Sequence, residues 1–291
     1  MGREGWNRLV RYAVSGLALW LLARQVDGGE LLEALADVNV AGVAVAMVVY
    51  LAGQLMTAYR WQIISGRVGF TQGFVTIARY YFVGMFFNLF GPSTLGGDVV
   101  RSLYLGQTDG RRTVALNTVV FDRLSGLAVL VLVAVVAMLA FGSYDLPPAL
   151  AALTVASGLG MLVGWWLIPP LTRVFFAEDN RIRQLVENDL GPFWRDGKLL
   201  WDMGWVSAVF HVVQVLAVII IGESLGLDLP WPYYFLFHPM VTIFSALPIS
   251  LAGLGIREIG YVYFLSDLSS VPREMALAFG ILWLLILLVS S

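Results

Sequence analysis

The apolar positions of this chain fall into eight runs: Leu9 to Ala23, Val40 to Trp61, Phe74 to Leu95, Val114 to Phe141, Ala149 to Ile168, Met203 to Leu225, Tyr233 to Leu254 and Met275 to Val289. Short charged segments separate them. The runs have helical length, where an outer-membrane barrel would show stretches of about ten residues with alternating polarity. The pattern predicts an all-α, polytopic transmembrane helical bundle. The first and last runs are short against the roughly 20 residues a bilayer needs, so they must tilt little or borrow flanking residues.

Charge orients the runs. Arg3, Arg8 and Arg11 precede the first, while Asp27, Glu30, Glu33 and Asp37 crowd the segment after it. Basic loops stay inside, so the N-terminus is expected to be cytoplasmic and the chain to lie in the cell's inner membrane. The second run returns to Arg60, Arg67 and Arg79, and the next basic group, Arg101, Arg111 and Arg112, wants the same side. A full crossing between these groups would break the rule, so Phe74 to Leu105 is expected to dip in and come back, turning at Gly91 and Pro92. Val114 to Phe141 then crosses outward, and Ala149 to Ile168 crosses back to Arg173. Residues 173–202 form a mixed-charge cytoplasmic segment with room for a lone amphipathic surface helix. Met203 to Leu225 crosses outward again, which makes Tyr233 to Leu265 a second dip, broken at Pro248. The expectation is about six full crossings plus two re-entrant helical hairpins in an inverted repeat. It is one integral membrane domain, 1–291, with pseudo-repeat halves of about 1–141 and 149–291.

Composition narrows the function classes. A mean hydropathy of +0.79 with 13% charged residues exceeds what a water-soluble globule can hide. The net charge of −2 carries no basic cluster for a nucleic-acid backbone. The absence of cysteine excludes disulfides, thiolate nucleophiles and Cys-ligated metals. The basic start and short apolar run resemble a signal peptide, but no A-x-A-type cleavage site follows, so an uncleaved first helix is expected. The chain stops at Ser290 and Ser291 without a cationic anchor, which leaves room for a native tail.

Within the two dips the chain repeats itself. PSTLGGDVVR (92–101) and PISLAGLGIR (248–257) agree at Pro92/Pro248, Thr94/Ser250, Leu95/Leu251, Gly97/Gly253 and Arg101/Arg257. Proline stops a helix and glycine lets the chain turn and start another, so Pro92, Pro248, Gly96 and Gly255 mark structural breaks. The free N–H groups of a new helix favour an anion, and an Arg in its first turn adds a bidentate phosphate ligand. Arg101 and Arg257 are the candidate ligands of a lipid phosphate, with Ser93, Thr94, Ser250, Gly97 and Gly253 assisting. Asp98 and Glu258 would tune head-group charge by pairing with lipid amines. The purely structural alternative pairs Arg101 with Asp98 and Arg257 with Glu258 or a carbonyl. Asp122 and Arg123, adjacent in an apolar helix, cannot face each other; Arg123 either snorkels to the interface or faces the cavity beside the first dip. His211 and His238 lack metal spacing, and no nucleotide, P-loop or nucleophile-elbow motif is present, so no cofactor, metal or enzyme activity is expected. His211 with Gln214 lines a polar path or packs by hydrogen bonding, and Gly160 and Gly164 form a GxxxG for helix packing.

These residues resemble the lysylphosphatidylglycerol synthase transmembrane region, a flippase-like family of integral membrane proteins. PSTLGGDVVR is similar to its first signature, DRLSGL to its second and PISLAGLGIRE to its third, in order and across nearly the whole chain. The second signature usually begins Glu-Arg, so Asp122 keeps the charge and shortens its reach. The resemblance implies movement of a phosphate-bearing lipid between leaflets, whether phospholipid, aminoacylated or polyprenyl-linked. Synthase activity does not carry over, because the soluble aminoacyl-transferring domain has no counterpart here. The expected partners are membrane lipids, with room for a homodimer or a lipid-synthase partner. Rival readings are an ion- or proton-coupled carrier of a soluble anion and a non-transporting partner of a lipid or glycan synthase.

Overall fold

Six of the eight apolar runs fold as helices, most of them outlasting their runs because flanking polar residues remain helical, and the other two begin with the helices Phe74–Phe90 and Trp231–Ala246. A computed structural model describes residues 3–90, 96–107, 110–141, 146–246, 250 and 253–291, with backbone alone for 3–9 and 90. The described elements are α1 (Arg3–Ala23), α2 (Gly28–Ala36), α3 (Val40–Arg67), α4 (Phe74–Phe90), α5 (Gly96–Gln107), α6 (Arg112–Ala140), α7 (Pro148–Phe175), α8 (Arg181–Gln184), α9 (Gly191–Trp194), α10 (Gly197–Ser224), α11 (Trp231–Ala246), α12 (Ile256–Val262) and α13 (Arg273–Ser290). Single π turns follow α8 and α12. Five helices, α3, α6, α7, α10 and α13, are long and apolar enough to cross a membrane, and Val10–Ala23 and Phe74–Leu89 are shorter apolar stretches. The molecule is a polytopic membrane-helical bundle.

The axis of the bundle is the antiparallel pair α3 and α10. Asn39 donates its amide to the Ser224 carbonyl at 2.9 Å at one end. Gly53 packs on Phe210 and Val213 in the middle, and Arg67 meets Asp196 at 3.3 Å at the other end. The two ends differ in charge. One gathers Arg67, Arg111, Arg173 and Arg195; the other holds Asp27, Glu30, Glu33 and Glu274.

Each axis helix is followed by a short antiparallel pair and then another helix. After α3, the pair α4/α5 doubles back: Tyr80 stacks on Tyr104 at 5.4 Å near the base, and Asn88 accepts from the Gly97 amide at 2.9 Å further in. Ile77, Leu105, Phe70 and Ala115 share one apolar cluster, so both ends of this hairpin lie at the Arg67 end. After α10, the pair α11/α12 does the same from the opposite end. Tyr233 donates to the Phe264 carbonyl at 2.7 Å near its base, and Ser245 meets Gly253 further in. The largest core cluster packs Tyr233, Phe237, Tyr261, Phe264, Phe279 and Trp283 around this second hairpin.

Three expectations are corrected. Residues 28–36, read as a charged loop, form α2, capped by Asp27, whose carboxylate accepts from the Gly29 and Glu30 amides. Residues 173–202 do hold a surface helical stretch, 181–189, with no buried residue, but it is not lone: Leu190 and Phe193 are buried with Phe121, Leu199 and Met203, which fastens the segment to the bundle. The GxxxG of α7 makes no close helix contact, since a Cβ on Gly160 would meet nothing within 4 Å.

Candidate functional site

The site forms where α3, α5, α6 and α10 converge on the inner part of the first hairpin. Gly84 and Gly97 let α4 and α5 touch, because a Cβ on Gly97 would stand 1.7 Å from the Gly84 carbonyl oxygen. That close approach brings Asp98 and Arg101, one helical turn apart on α5, against the polar stripe of α6.

There the carboxylates and guanidiniums interlock. Arg101 Nε donates to Asp98 Oδ1 at 3.1 Å, and its Nη2 donates to Asp122 Oδ2 at 3.0 Å. Arg60 of α3 donates Nε to Asp122 Oδ1 at 2.8 Å, Nη2 to the Asp122 carbonyl at 3.3 Å and Nη1 to Ser207 Oγ of α10 at 2.8 Å. Arg123 completes the set with bonds to Asp98 Oδ2 at 2.9 Å and Oδ1 at 3.2 Å. Asp98, Arg101, Asp122 and Arg60 are all at most 5% exposed, whereas the Arg123 side chain is 55% exposed. Arg101 also lies over the Trp61 ring at 4.8 Å and the Tyr81 ring at 5.4 Å. With a guanidinium so held, its Nη1 is nonetheless buried without a hydrogen-bond partner among the described residues.

The second hairpin is arranged differently. Gly253 and Gly255 adopt φ of +79° and +84°, a left-handed backbone that only glycine takes without strain. Glu258 then reaches back to the Gly255 amide at 2.6 Å, closing the first turn of α12. Its other oxygen accepts from Arg257 Nε at 3.0 Å and Nη2 at 2.7 Å. Ser250 Oγ is buried with no partner among the described residues. Gln54 of α3 accepts from the Tyr81 hydroxyl at 2.9 Å, and Tyr50, one turn before it, meets Trp283 edge-on at 5.4 Å.

The structure brings Asp98, Arg101, Asp122 and Arg123 into one cluster and places Arg257, Glu258, Ser250, Gly253 and Gly255 together in the other hairpin. Pro92, Ser93, Thr94 and Pro248 lie outside the described residues. Gly96 opens α5. Gly97 is buried against α4 and spends its N–H on Asn88, so it offers nothing to a ligand. Arg101 sits in the second turn of its helix, not the first. Both sides of the structural alternative for the arginines are present as contacts, and Arg123 faces the first hairpin.

Sequence reasoning missed Arg60, which it counted with the cytoplasmic basic groups. The signal was available: Gly53, Thr57, Arg60 and Ile64 follow a helical stripe, and all four are buried. His211 bonds the Gly126 carbonyl at 3.2 Å and His238 the Tyr261 hydroxyl at 3.1 Å, so each has a packing partner. Among the described residues no group of three or more His, Cys, Asp or Glu could hold a metal ion.

The chain is similar to the glycosyltransferase AglD of Haloferax volcanii, 26% identical over 91% of this chain and 50% of that protein, so it spans about half the relative's length. The model of the lysylphosphatidylglycerol synthase TM region matches residues 8–290, and the chain therefore belongs to that family.

Proposed function

We propose that the chain is a lipid flippase or translocation facilitator that moves a phosphate-bearing lipid between leaflets, not an enzyme. The observation that carries this reading is the buried, unpartnered Nη1 of Arg101: a donor without a partner in an apolar interior is costly, and a phosphate oxygen would satisfy it. Arg257, with Ser250 beside its helix, is the second contact on the proposed path. Acyl chains stay in lipid while the head group passes between the hairpins.

The membrane arrangement proposed with it has six crossings, α1, α3, α6, α7, α10 and α13, and two re-entrant hairpins. The corresponding halves are α3 to α6 and α10 to α13, inverted with respect to each other. Three observations support it: the equivalent helices α3 and α10 run antiparallel, the hairpins open toward opposite ends, and both hairpins break inside. Backbone interrupted at membrane depth persists where it lines a cavity or is buried in protein, the arrangement of many transporters. The Arg67 end is basic, which puts it and the N-terminus in the cytoplasm, with the chain in the inner membrane. Family membership supports the lipid cargo. The relative's name, a glycosyltransferase, and its greater length favour a second reading, in which the chain is the membrane partner of a lipid or glycan synthase.

Leaflet exchange of a labelled phospholipid in proteoliposomes tests the proposal. Wild-type protein should accelerate exchange, and Arg101→Gln should reduce it at least tenfold, with Arg257→Gln the weaker variant. Unchanged exchange in Arg101→Gln overturns the assigned role. A wild type that moves no lipid but co-purifies with a transferase favours the partner reading, and saturable uptake of a water-soluble anion without lipid dependence favours a soluble-anion carrier.

A further inference from the structure

The first hairpin is not charge-balanced, and the second is. Arg60, Arg101 and Arg123 place three guanidiniums against the two carboxylates of Asp98 and Asp122. All four carboxylate oxygens already accept from arginine: Asp122 from Arg60 and Arg101, Asp98 from Arg101 and Arg123. In the second hairpin Arg257 meets Glu258 one to one, and the remaining Glu258 oxygen is taken by the Gly255 amide. Every carboxylate oxygen of the two hairpins is already engaged, so the amine of a head group would have to compete with arginine or a backbone amide for it, which works against a preference for cationic lipids. One positive charge and one buried N–H donor, Arg101 Nη1, are left over in the first.

The surplus charge is also in an unusual place. Arg123 stands eleven residues into the 29-residue α6, roughly 16 Å along a helix of about 43 Å, which puts it inside a hydrocarbon core of about 30 Å, toward the basic end. More than half of its side chain is nevertheless exposed, beside a hairpin whose α5 surface is apolar, with Val99, Leu103 and Tyr104 exposed. A charge open at that depth belongs to a polar path or meets a counter-ion there.

We propose that this chain selects a head group with one net negative charge, a phosphodiester, which enters from the lipid beside α5 and α6 at Arg123 and is held at Arg101 Nη1. Head groups made cationic by an added amine are rejected. Asp98, shared by both arginines, is the pivot: as the phosphate arrives, Arg123 exchanges the carboxylate for it while Arg101 keeps Asp98 in place. The proposal rests on the translocation reading for what the site is used for, not for what it binds. Two sources offer the same chemistry, a phosphatidylglycerol-type lipid and a polyprenyl phosphodiester of a sugar.

The test is head-group competition in nanodiscs. Protein is reconstituted in phosphatidylcholine with equal small fractions of phosphatidylglycerol, lysylphosphatidylglycerol and a hexosyl polyprenyl phosphate, and retained lipid is measured by mass spectrometry after detergent exchange. Wild-type protein should retain one of the two monoanionic phosphodiesters about tenfold over phosphatidylcholine and over the lysylated lipid, a difference of about 1.4 kcal/mol. Which of the two is retained identifies the source. Arg123→Gln, which removes the surplus charge from an exposed position, should erase the preference, and Arg123→Lys should restore it. Equal or greater retention of the lysylated lipid by wild type, a comparison that needs no variant, overturns the proposal, as does an undiminished preference in Arg123→Gln. Selective retention without leaflet exchange would leave the site standing and remove the translocation reading; exchange without head-group preference would do the reverse.

Discussion

Asp122 is the most consequential single residue of the bundle, because its two carboxylate oxygens separate two buried guanidiniums, Arg60 at 2.8 Å and Arg101 at 3.0 Å. Removing one partner of a buried ion pair leaves an uncompensated charge in low dielectric, which costs about 3–5 kcal/mol. Asp122→Asn should therefore destabilise the protein by about that amount in detergent-solubilised unfolding. Asp122→Glu, which keeps the charge and lengthens the arm, should cost less than the Asn variant. A loss below about 1 kcal/mol in Asp122→Asn, the scale of an exposed pair, would mean the network is open to water. The sequence made four of the five charged residues of this cluster readable. Asp98 and Arg101 stood out through the internal repeat, and Asp122 and Arg123 through charge inside an apolar run. Arg60 did not, because hydropathy and loop-charge rules treat a basic residue near the end of an apolar run as a loop residue. Its helix continues to Arg67, and only burial along the stripe shared with Gly53 and Thr57 identifies it.

At the scale of elements, positions followed from the apolar pattern and ends did not. Apolar runs report where helices lie, but α3 and α10 extend through polar residues that the bundle itself shelters, and α2 is amphipathic and too short to register as a run. Residues 173–202 were misread for a related reason: their fixing contact is a long-range one. Pro169 inside α7 has no N–H to give the Trp165 carbonyl one turn before it. The Trp194 indole, from α9, fills that position at 2.9 Å, with the two indoles stacked at 4.2 Å. A break in one helix is thus closed by a side chain from another element. Trp194→Phe should cost about 1–3 kcal/mol through the orphaned carbonyl. In a Pro169→Ala background, where the backbone N–H returns, the same change should cost clearly less, and the coupling between the two substitutions measured by unfolding gives the size of the bond. An additive pair would show that the indole contributes packing only. Glu187 fastens the same region: its hydrogen bond from Arg173 at 2.6 Å, and that from Arg183, hold the carboxyl below the usual carboxylate range. A depressed carboxyl stabilises above its unfolded value and loses that contribution as pH falls through its folded value, so this clamp opens only in acid.

Across the whole molecule the question is whether the two hairpins return to the faces they came from. Contacts place residues on either side of α4/α5 at the Arg67 end, and those on either side of α11/α12 at the Asn39 end. The chain contains no cysteine, so a single introduced thiol is the only one present. Thr71 and Gln107 flank the first hairpin, Asp228 and Ser270 flank the second, and all four are exposed. With a membrane-impermeant thiol reagent on sealed, oriented vesicles, Thr71→Cys and Gln107→Cys should label from the same face as Lys198→Cys. Asp228→Cys and Ser270→Cys should label only from the opposite face. If α4/α5 together crossed the bilayer, Thr71→Cys and Gln107→Cys would label from opposite faces. The inverted arrangement would then fail, and with it the idea that two broken helices approach one path from two sides. The labelled face of Lys198→Cys also fixes orientation: the basic end should be cytoplasmic, because translocating its cluster of arginines is disfavoured during insertion.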